Sequence, residues 1–187
     1  MAQGVDVIQE LTADHHKVRR LFDRIRSAEP GSAARRELVE HVGIELVRHA
    51  VVEREYLYPA VRDHVAEGPR WAERELAEHT EIEEILQALR GSEPDQETFD
   101  RLVLELVTRV TVHLREEEQL LFPRLQAVCP ADLLEQLGEK VRHGRATAPT
   151  RPRPQLPDSP LVTKLAAPEL GVIDRIRDVL TGRGRAR

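Results

Sequence analysis

Apolar residues recur at spacings of three and four through the first 143 positions, and this pattern predicts long amphipathic helices. Their inward faces are rich in leucine, valine and isoleucine, with Val18, Leu46, Ile82 and Val110 near the middle of each apolar stripe. The sequence contains no run with strand-like alternation. Four helices are predicted, from about Asp6 to Ser27, Ala33 to Val65, Pro69 to Arg90 and Asp95 to Val128.

Helix-breaking residues separate these segments at short intervals. Glu29-Pro30-Gly31-Ser32 follows the first, Gly68-Pro69 the second, and Gly91-Ser92-Glu93-Pro94 the third. Short connections between long amphipathic helices make consecutive helices antiparallel neighbours. The predicted fold is therefore all-α, an up-down-up-down four-helix bundle.

The pattern changes after the fourth helix. A short fifth helix is expected from Pro130 to Arg142, so that residues 1–143 form the bundle domain. Residues 144–168 are rich in proline and arginine and are typical of an extended linker. Residues 169–187 carry Leu170, Ile173 and Ile176 at helical spacing, which predicts a short amphipathic helix with a basic tail.

The bundle segment repeats itself with a period of 64 residues. His15 recurs at His79, His49 at His113, and Glu53 at Glu117, each 64 positions later. The two halves also share an aromatic residue followed by proline, Tyr58-Pro59 and Phe122-Pro123, inside the second and fourth predicted helices. A proline inside a helix removes a backbone donor, so a similar bend is expected in both halves.

The repeated polar residues have the spacing of metal ligands. In His49-x-x-x-Glu53 and His113-x-x-x-Glu117 the imidazole and the carboxylate lie one helical turn apart on the same face. A lone interior histidine is more often a hydrogen-bonded core residue, but hydrophobic packing does not require matched histidines and glutamates in both halves. Mixed imidazole and carboxylate donors suit iron, manganese or zinc, and inside a helical bundle they favour a di-iron site.

One position breaks the repeat within this set. Glu83 follows His79 by four residues, whereas Arg19 follows His15. We expect Glu83 to give one metal an additional carboxylate and to leave the other with an open position for a small molecule. The alternative is that Glu83 faces solvent beside Glu81 and Glu84.

The remaining titratable residues receive weaker interpretations. Tyr56, three residues after Glu53, is a candidate hydrogen-bond donor behind the ligands, although packing is an equal alternative. The histidines without a repeat partner are expected at the surface or in packing roles: His16, His41, His64 and His143.

Charge and cysteine content limit the partners. Residues 1–143 carry 19 Lys or Arg against 29 Asp or Glu, a net charge of −10, whereas residues 144–187 carry 9 against 4, a net charge of +5. An acidic body argues against nucleic acid as the main partner. Cys129 is the sole cysteine, so neither an internal disulfide nor a thiolate zinc site is expected. Without a leader-like start or a long apolar run, a cytoplasmic location and no membrane contact are expected.

The motifs resemble those of the hemerythrin-like, HHE cation-binding family. The resemblance rests on Asp14-His15, His49-x-x-x-Glu53, Glu78-His79 and His113-x-x-x-Glu117 together with the two aromatic-proline pairs. It implies an oxo- or hydroxo-bridged di-iron centre with the four histidines as terminal ligands and Glu53 and Glu117 as bridges. Oxygen-carrying hemerythrins have five histidines, and Glu83 stands where the fifth is expected.

Function follows from this ligand set. An anionic ligand set favours ferric iron and counts against reversible oxygen carriage. We expect binding of dioxygen or a related small oxidant, such as peroxide or nitric oxide, for sensing, storage or detoxification. The alternatives are a peroxide-decomposing di-iron enzyme and an iron- or oxygen-responsive regulatory module. The sequence leaves the oligomeric state open.

Overall fold

The computed structural model describes residues 4–90 and 96–151, and all regular secondary structure within these two ranges is helical. The predicted four-helix bundle is confirmed. Two of its four rods are composite, because a five-residue π-helical turn interrupts each of them. The helices are α1 (Val7–Ser27), α2 (Ala33–Val52), α3 (Tyr58–His64), α4 (Gly68–Arg90), α5 (Gln96–Glu116), α6 (Phe122–Val128) and α7 (Ala131–Thr147).

The π-helical turns lie where the sequence predicts a bend. Glu53–Leu57 joins α2 to α3, and Glu117–Leu121 joins α5 to α6. Tyr58 donates its backbone N–H to the carbonyl of Glu53, five residues earlier, and Phe122 does the same to Glu117. Pro59 and Pro123 follow at the first turn of α3 and α6, where a proline N–H is not needed. The proline thus accompanies a wider turn, and each turn begins at a candidate ligand.

The start of α1 shows why the chain becomes helical where it does. The Asp6 carboxylate accepts the backbone N–H of Gln9 at 2.8 Å, and the Gln9 amide oxygen accepts the N–H of Asp6 at 3.2 Å. This reciprocal cap satisfies two backbone donors that the first turn would otherwise leave unpaired. Leu11, Val18 and Phe22 then place the apolar stripe of α1 inside the bundle.

The core divides into two apolar clusters, one at each end of the bundle. The first contains Val18, Leu46, Ile82 and Val110, and the second contains Leu11, Val52, Leu76 and Leu121. Along each rod the candidate ligands lie where one cluster gives way to the other. The polar residues therefore form one layer at mid-height, sealed by aliphatic side chains above and below.

Helix α7 extends further than the sequence indicates. It continues to Thr147, beyond the boundary predicted at residue 143, and packs on α1 and α2. Gly144, the first residue of the predicted linker, lies against the ring of Tyr56, where a Cβ would come within 2.7 Å of Cε2. Tertiary packing therefore selects a glycine inside the helix. Residues 152–187, with most of the predicted linker and the C-terminal helix, lie outside the described residues.

Within the described ranges, none of the helices combines the length and the apolar character needed to cross a membrane.

Candidate metal centre

Four histidines and two glutamates from four rods meet in the central layer. His15 comes from α1, His49 from α2, His79 from α4 and His113 from α5, and each is at most 3% exposed. Glu53 and Glu117, at the starts of the two π-helical turns, are fully buried among them. The structure thus brings together six of the seven residues that the sequence suggests as ligands: His15, His49, Glu53, His79, His113 and Glu117.

The first half of the layer is built around His15 and His49. His49 Nε2 lies 3.1 Å from Glu53 Oε1, and His15 Nε2 lies 3.4 Å from Glu117 Oε2. The two imidazole rings meet edge to face with centroids 4.9 Å apart. Two donors bound at about 2.1 Å to one cation at a right angle lie about 3 Å apart. These four residues have that order of spacing.

The second half is built around His79 and His113. Their Nε2 atoms lie 3.0 Å apart, and His79 Nε2 is 3.3 Å from Glu53 Oε2. Glu53 therefore presents Oε1 to the first half and Oε2 to the second, which is the arrangement of a bridging carboxylate. Glu117 Oε2 lies between His15, at 3.4 Å, and His113, at 3.7 Å.

Unsatisfied polar atoms in this layer fit a cation. Among the described residues, His15 Nε2, His49 Nε2, Glu53 Oε1 and Glu117 Oε2 are buried and have no hydrogen-bond partner. An unpaired buried acceptor costs about 1–3 kcal/mol, and a carboxylate costs more. Four such atoms at ligand-like spacing are explained by a positive ion that they bind together.

The ionisation of the two central carboxylates leads to the same conclusion. Burial and the neighbouring charge of Glu117 raise the pKa of Glu53 well above its ordinary value. Burial also opposes ionisation of Glu117, but the charges of His113 and His15 outweigh it and hold its pKa well below the ordinary value. Positive charge therefore decides whether these buried carboxylates ionise, and a bound cation supplies it directly.

Tyr58 belongs to this layer, whereas the sequence suggested Tyr56 as a donor behind the ligands, with packing as an equal alternative. Tyr58 Oη lies 3.1 Å from His79 Nε2 and 3.2 Å from Glu117 Oε1, and the residue is 1% exposed. Tyr56 is half-buried, and burial together with Glu55 raises its pKa to about 12. The repeat could have identified Tyr58 from the sequence. Its counterpart is Phe122, and the additional hydroxyl of a tyrosine in a core position needs a hydrogen-bond partner.

Glu75 is a second residue that sequence reasoning missed. Its carboxylate is fully buried, and Oε2 lies 3.2 Å from His113 Nδ1. Burial raises its pKa, against the effect of His113. Its repeat counterpart is Leu11, so the comparison of matched polar residues could not find it. The sequence feature that could have identified Glu75 is its position four residues before His79, on the inward face of the same helix.

Glu83 does not join any of the ligand groups, and it does not face solvent either. It is 4% exposed, and its Oε1 accepts a hydrogen bond from Arg54 Nη2 at 3.4 Å. The repeat counterparts of Glu83 and Arg54 are Arg19 and Glu118, which also form a salt bridge, with contacts of 2.8 and 2.9 Å. The two halves therefore contain the same salt bridge with its charges exchanged. The two halves differ at this position, as predicted, but Glu83 lies behind the ligands and not among them.

Carboxylates approach the outer nitrogens of three of the histidines. Glu118 lies 2.8 Å from His15 Nδ1, Glu78 lies 3.1 Å from His113 Nδ1, and Asp14 lies 3.9 Å from His49 Nδ1. Glu118 and Glu78 are at hydrogen-bond distance and favour the tautomer that leaves Nε2 available to a metal, whereas Asp14 is not hydrogen-bonded to His49. His79 Nδ1 has no hydrogen-bond partner among the described residues, because Arg54 occupies the position equivalent to Glu118.

The histidines without a repeat partner lie away from the layer. His16, His64 and His143 are exposed, and His41 is partly buried beside Glu45.

Comparison with known proteins agrees with this geometry. The sequence model of the hemerythrin HHE cation binding domain matches residues 6–125. An uncharacterized hemerythrin-like protein of Schizosaccharomyces pombe is 27% identical over 168 residues, which cover 89% of this chain and 82% of that protein. The crystal structure of a hemerythrin HHE cation binding domain-containing protein from Mycobacterium kansasii aligns with a TM-score of 0.63 and 27% identity, covering 76% of this chain and 88% of that one.

Another relative matches over a smaller share of its own length. A DNA nickase of Nostoc is 27% identical over 134 residues, which cover 72% of this chain but 37% of that protein.

Proposed function

Because this chain belongs to the hemerythrin HHE cation-binding family, whose model matches residues 6–125, we propose that it is a non-haem di-iron protein that binds dioxygen or a related small oxidant. The observation that carries the proposal is the split of Glu53 between two histidine pairs. Its Oε1 lies 3.1 Å from His49 Nε2, and its Oε2 lies 3.3 Å from His79 Nε2. A carboxylate that faces two nitrogen-rich pockets at once supports two cations with a shared ligand.

His15 and His49 hold the first cation, and His79 and His113 hold the second. Glu53 and Glu117 lie between them and supply negative charge to both. Nitrogen and oxygen donors without a thiolate fit iron in its higher oxidation state. Bound iron supplies the redox chemistry and a Lewis-acidic position for the oxidant.

The two halves offer unequal numbers of donors. Tyr58 and Glu75 lie in the second half, and their counterparts in the first half are Phe122 and Leu11, which cannot bind a metal. Phe122 stacks on His15 with ring centroids 5.6 Å apart. The first cation therefore has fewer protein ligands, which favours binding of the small molecule at that half. The additional oxygen donors in the second half favour ferric iron and count against reversible oxygen carriage.

Iron reconstitution tests the proposal. The purified chain, loaded with iron and freed of excess metal, should hold two iron ions and absorb in the near-ultraviolet through ligand-to-iron charge transfer. Glu53→Ala removes the shared carboxylate and should lower the content below two. Glu84→Ala is the matched control, because Glu84 is an exposed glutamate in α4. A wild-type chain that holds one iron ion or none would contradict the di-iron hypothesis.

Peroxide turnover separates the leading proposal from its enzymatic alternative. Unequal donor sets are compatible with peroxide chemistry: the half with Tyr58 and Glu75 would favour ferric iron, and the half with His15 and His49 would leave room for the oxidant. Sustained loss of hydrogen peroxide by the iron-loaded chain, absent in the metal-free chain, would make it an enzyme. Stoichiometric binding without turnover would support the role in sensing or storage.

A further inference from the structure

Helix α7 lies outside the repeated bundle but contacts residues next to the central layer. Near its C-terminal end, Arg145 donates from Nη1 to Asp14 Oδ1 at 2.7 Å and from Nη2 to Glu10 Oε2 at 2.8 Å. The other oxygen of Asp14, Oδ2, faces His49 Nδ1 at 3.9 Å. A chain of polar contacts thus runs from α7 through α1 to a candidate ligand on α2.

The second half of the bundle builds the same support without a fifth helix. Glu78 is the repeat counterpart of Asp14, and it contacts His113 Nδ1 at 3.1 Å. Arg74, four residues earlier on α4, donates from Nε to Glu78 at 3.1 Å. The repeat counterpart of Arg74 is Glu10. The first half therefore has two acids where the second has an acid and its arginine, and Arg145 supplies the missing positive charge to both acids.

Asp14 connects Arg145 to His49 through its two carboxylate oxygens. Asp14 is 8% exposed, and among the described residues neither its Oδ2 nor His49 Nδ1 has a hydrogen-bond partner. Because Arg145 fixes Oδ1, the free oxygen of Asp14 is oriented towards the imidazole. Oδ2 lies 3.9 Å from Nδ1, beyond hydrogen-bond distance, so a small approach would let an Nδ1–H donate to it and leave the Nε2 lone pair available to the cation.

Packing holds the end of α7 in this position. The absence of a side chain at Gly144 lets the Tyr56 ring lie against the helix, and Ala148 is fully buried in contact with Val51. Val51 is two residues after His49 and Tyr56 is three residues after Glu53. The end of α7 is therefore fixed to the same rod that supplies two ligands.

We propose that Arg145 is a positioning residue for His49, acting through Asp14, so that the end of α7 controls how long the His15–His49 half retains its cation. The inference rests on the proposed di-iron function. It assigns α7 a part in the metal centre in addition to covering the end of the bundle.

Metal release tests this inference. The chain is loaded anaerobically with ferrous iron, and iron loss to a ferrous chelator is followed in time. Loss of a group that orients a metal-binding histidine lowers metal affinity about 10- to 100-fold. Arg145→Ala should therefore accelerate the release of one of the two ions by about that factor and leave the other unchanged. Asp14→Asn should accelerate the same phase, and Arg145→Lys should lie between Arg145→Ala and the wild type.

Arg142→Ala is the matched control, because Arg142 also lies on α7 and bonds to Glu10, at 2.9 Å, without a contact to Asp14. It should release both ions at wild-type rates. Arg74→Ala should accelerate the other phase. Wild-type rates in Arg145→Ala, or equal acceleration of both phases in Arg145→Ala and Arg142→Ala, would overturn the positioning role while leaving the di-iron proposal standing. A wild-type chain that holds fewer than two ions would overturn both proposals.

Discussion

At the scale of single residues, the centre combines a symmetric set of ligands with an asymmetric set of neighbours. The histidines and the two central glutamates obey the 64-residue repeat, whereas Tyr58, Glu75 and Arg54 do not. Each of these three replaces a counterpart of different chemistry, namely phenylalanine, leucine and glutamate. The repeat therefore provides two similar candidate cation pockets, and the exceptions make those pockets chemically unequal.

Tyr58→Phe should change the colour of the ferric protein without unfolding it. Tyr58 Oη lies 3.1 Å from His79 Nε2, a separation typical of two ligands on one ion. A phenolate bound to ferric iron absorbs visible light, so the wild type should show a visible band that the variant lacks. The fold accepts phenylalanine here, because Phe122 occupies the equivalent position. Tyr56→Phe is the control and should keep the band, and a band of equal strength in Tyr58→Phe would exclude Tyr58 as a ligand.

The buried salt bridge of Arg54 and Glu83 should tolerate exchange of its two charges better than loss of one. Both side chains are at most 7% exposed, and removal of one member of such a pair costs on the order of 3 kcal/mol. Arg54→Ala should therefore lower the free energy of unfolding by about that amount. The double variant Arg54→Glu, Glu83→Arg should recover most of the loss, because Glu118 and Arg19 form the same pair in this order.

Glu83→Gln separates this structural role from metal ligation. The side chain keeps its size and a hydrogen-bond acceptor for Arg54, so iron content should stay at the wild-type value. A fall in iron per chain in Glu83→Gln would restore Glu83 as a ligand. Chemical denaturation and metal analysis of the same samples provide both measurements.

Repetition in the sequence indicates which residues meet, but it does not indicate what a side chain contacts when its counterpart differs. Matched histidines and glutamates pointed to the central layer directly. Glu83 was assigned from its four-residue distance to His79 and from the resemblance, which places a fifth histidine at this position. Its partner Arg54 comes from another rod, so only the three-dimensional packing, or a search for exchanged charges in the repeat, reveals the pair.

At the scale of helices, the two π-helical turns bring residues five apart to the same face. In an α-helix such residues diverge by about 140°, since each residue turns about 100°. Here Tyr58 Oη lies 3.4 Å from Glu53 Oε2, and the equivalent Phe122 stacks on His15. The sequence predicted a bend at the prolines, but a kink and a π-helical turn share that signature, so the wider turn emerged only in the structure.

Deletion of Gln119 should therefore be tolerated. Gln119 is an exposed residue within the turn Glu117–Leu121, and its removal lets the turn close into α-helix with Glu117 and Phe122 four residues apart. Both side chains then still face the layer, so iron content and helicity should remain near the wild-type values.

Deletion of Thr111 is the control for this experiment. Thr111 is an exposed residue within the regular helix α5, so its loss rotates the preceding part of the rod by about 100° relative to His113. Iron content and melting temperature should both fall. If both deletions lower iron content and melting temperature equally, the π-helical turn does not close into an α-helix when Gln119 is removed.

At the scale of the whole molecule, the central layer of candidate ligands interrupts an otherwise continuous apolar core. Two apolar clusters lie on either side of it, and the ligands come from four rods, so every rod contributes to the same buried polar plane. Charges in such a plane oppose folding unless they are compensated. We therefore expect metal binding and the stability of the bundle to be coupled, because one set of residues serves both.

Iron removal should lower the melting temperature, and Glu53→Gln should reverse part of that loss. A ligand that binds only the folded chain adds about 4 kcal/mol at a thousandfold excess over its Kd, which corresponds to roughly 10 °C for a domain of this size. Burial and the charge of Glu117 raise the pKa of Glu53 well above its ordinary value, so its ionised form destabilises the metal-free fold at neutral pH. Metal-free Glu53→Gln should therefore melt above the metal-free wild type and gain less on addition of iron.

Glu105→Gln is the control for the same change at an accessible position, where Glu105 pairs with Arg101 and Arg109 on the outer face of α5. It should shift the metal-free and iron-loaded forms equally and only slightly. Calorimetry of the three proteins with and without iron gives the metal-free shift of each variant and the gain of each protein on addition of iron. If metal-free Glu53→Gln melts below the metal-free wild type, the carboxylate stabilises the bundle by itself, and the coupling between the buried charge and the metal is refuted. If it melts higher but gains as much from iron as the wild type does, Glu53 destabilises the metal-free fold without serving as the shared ligand.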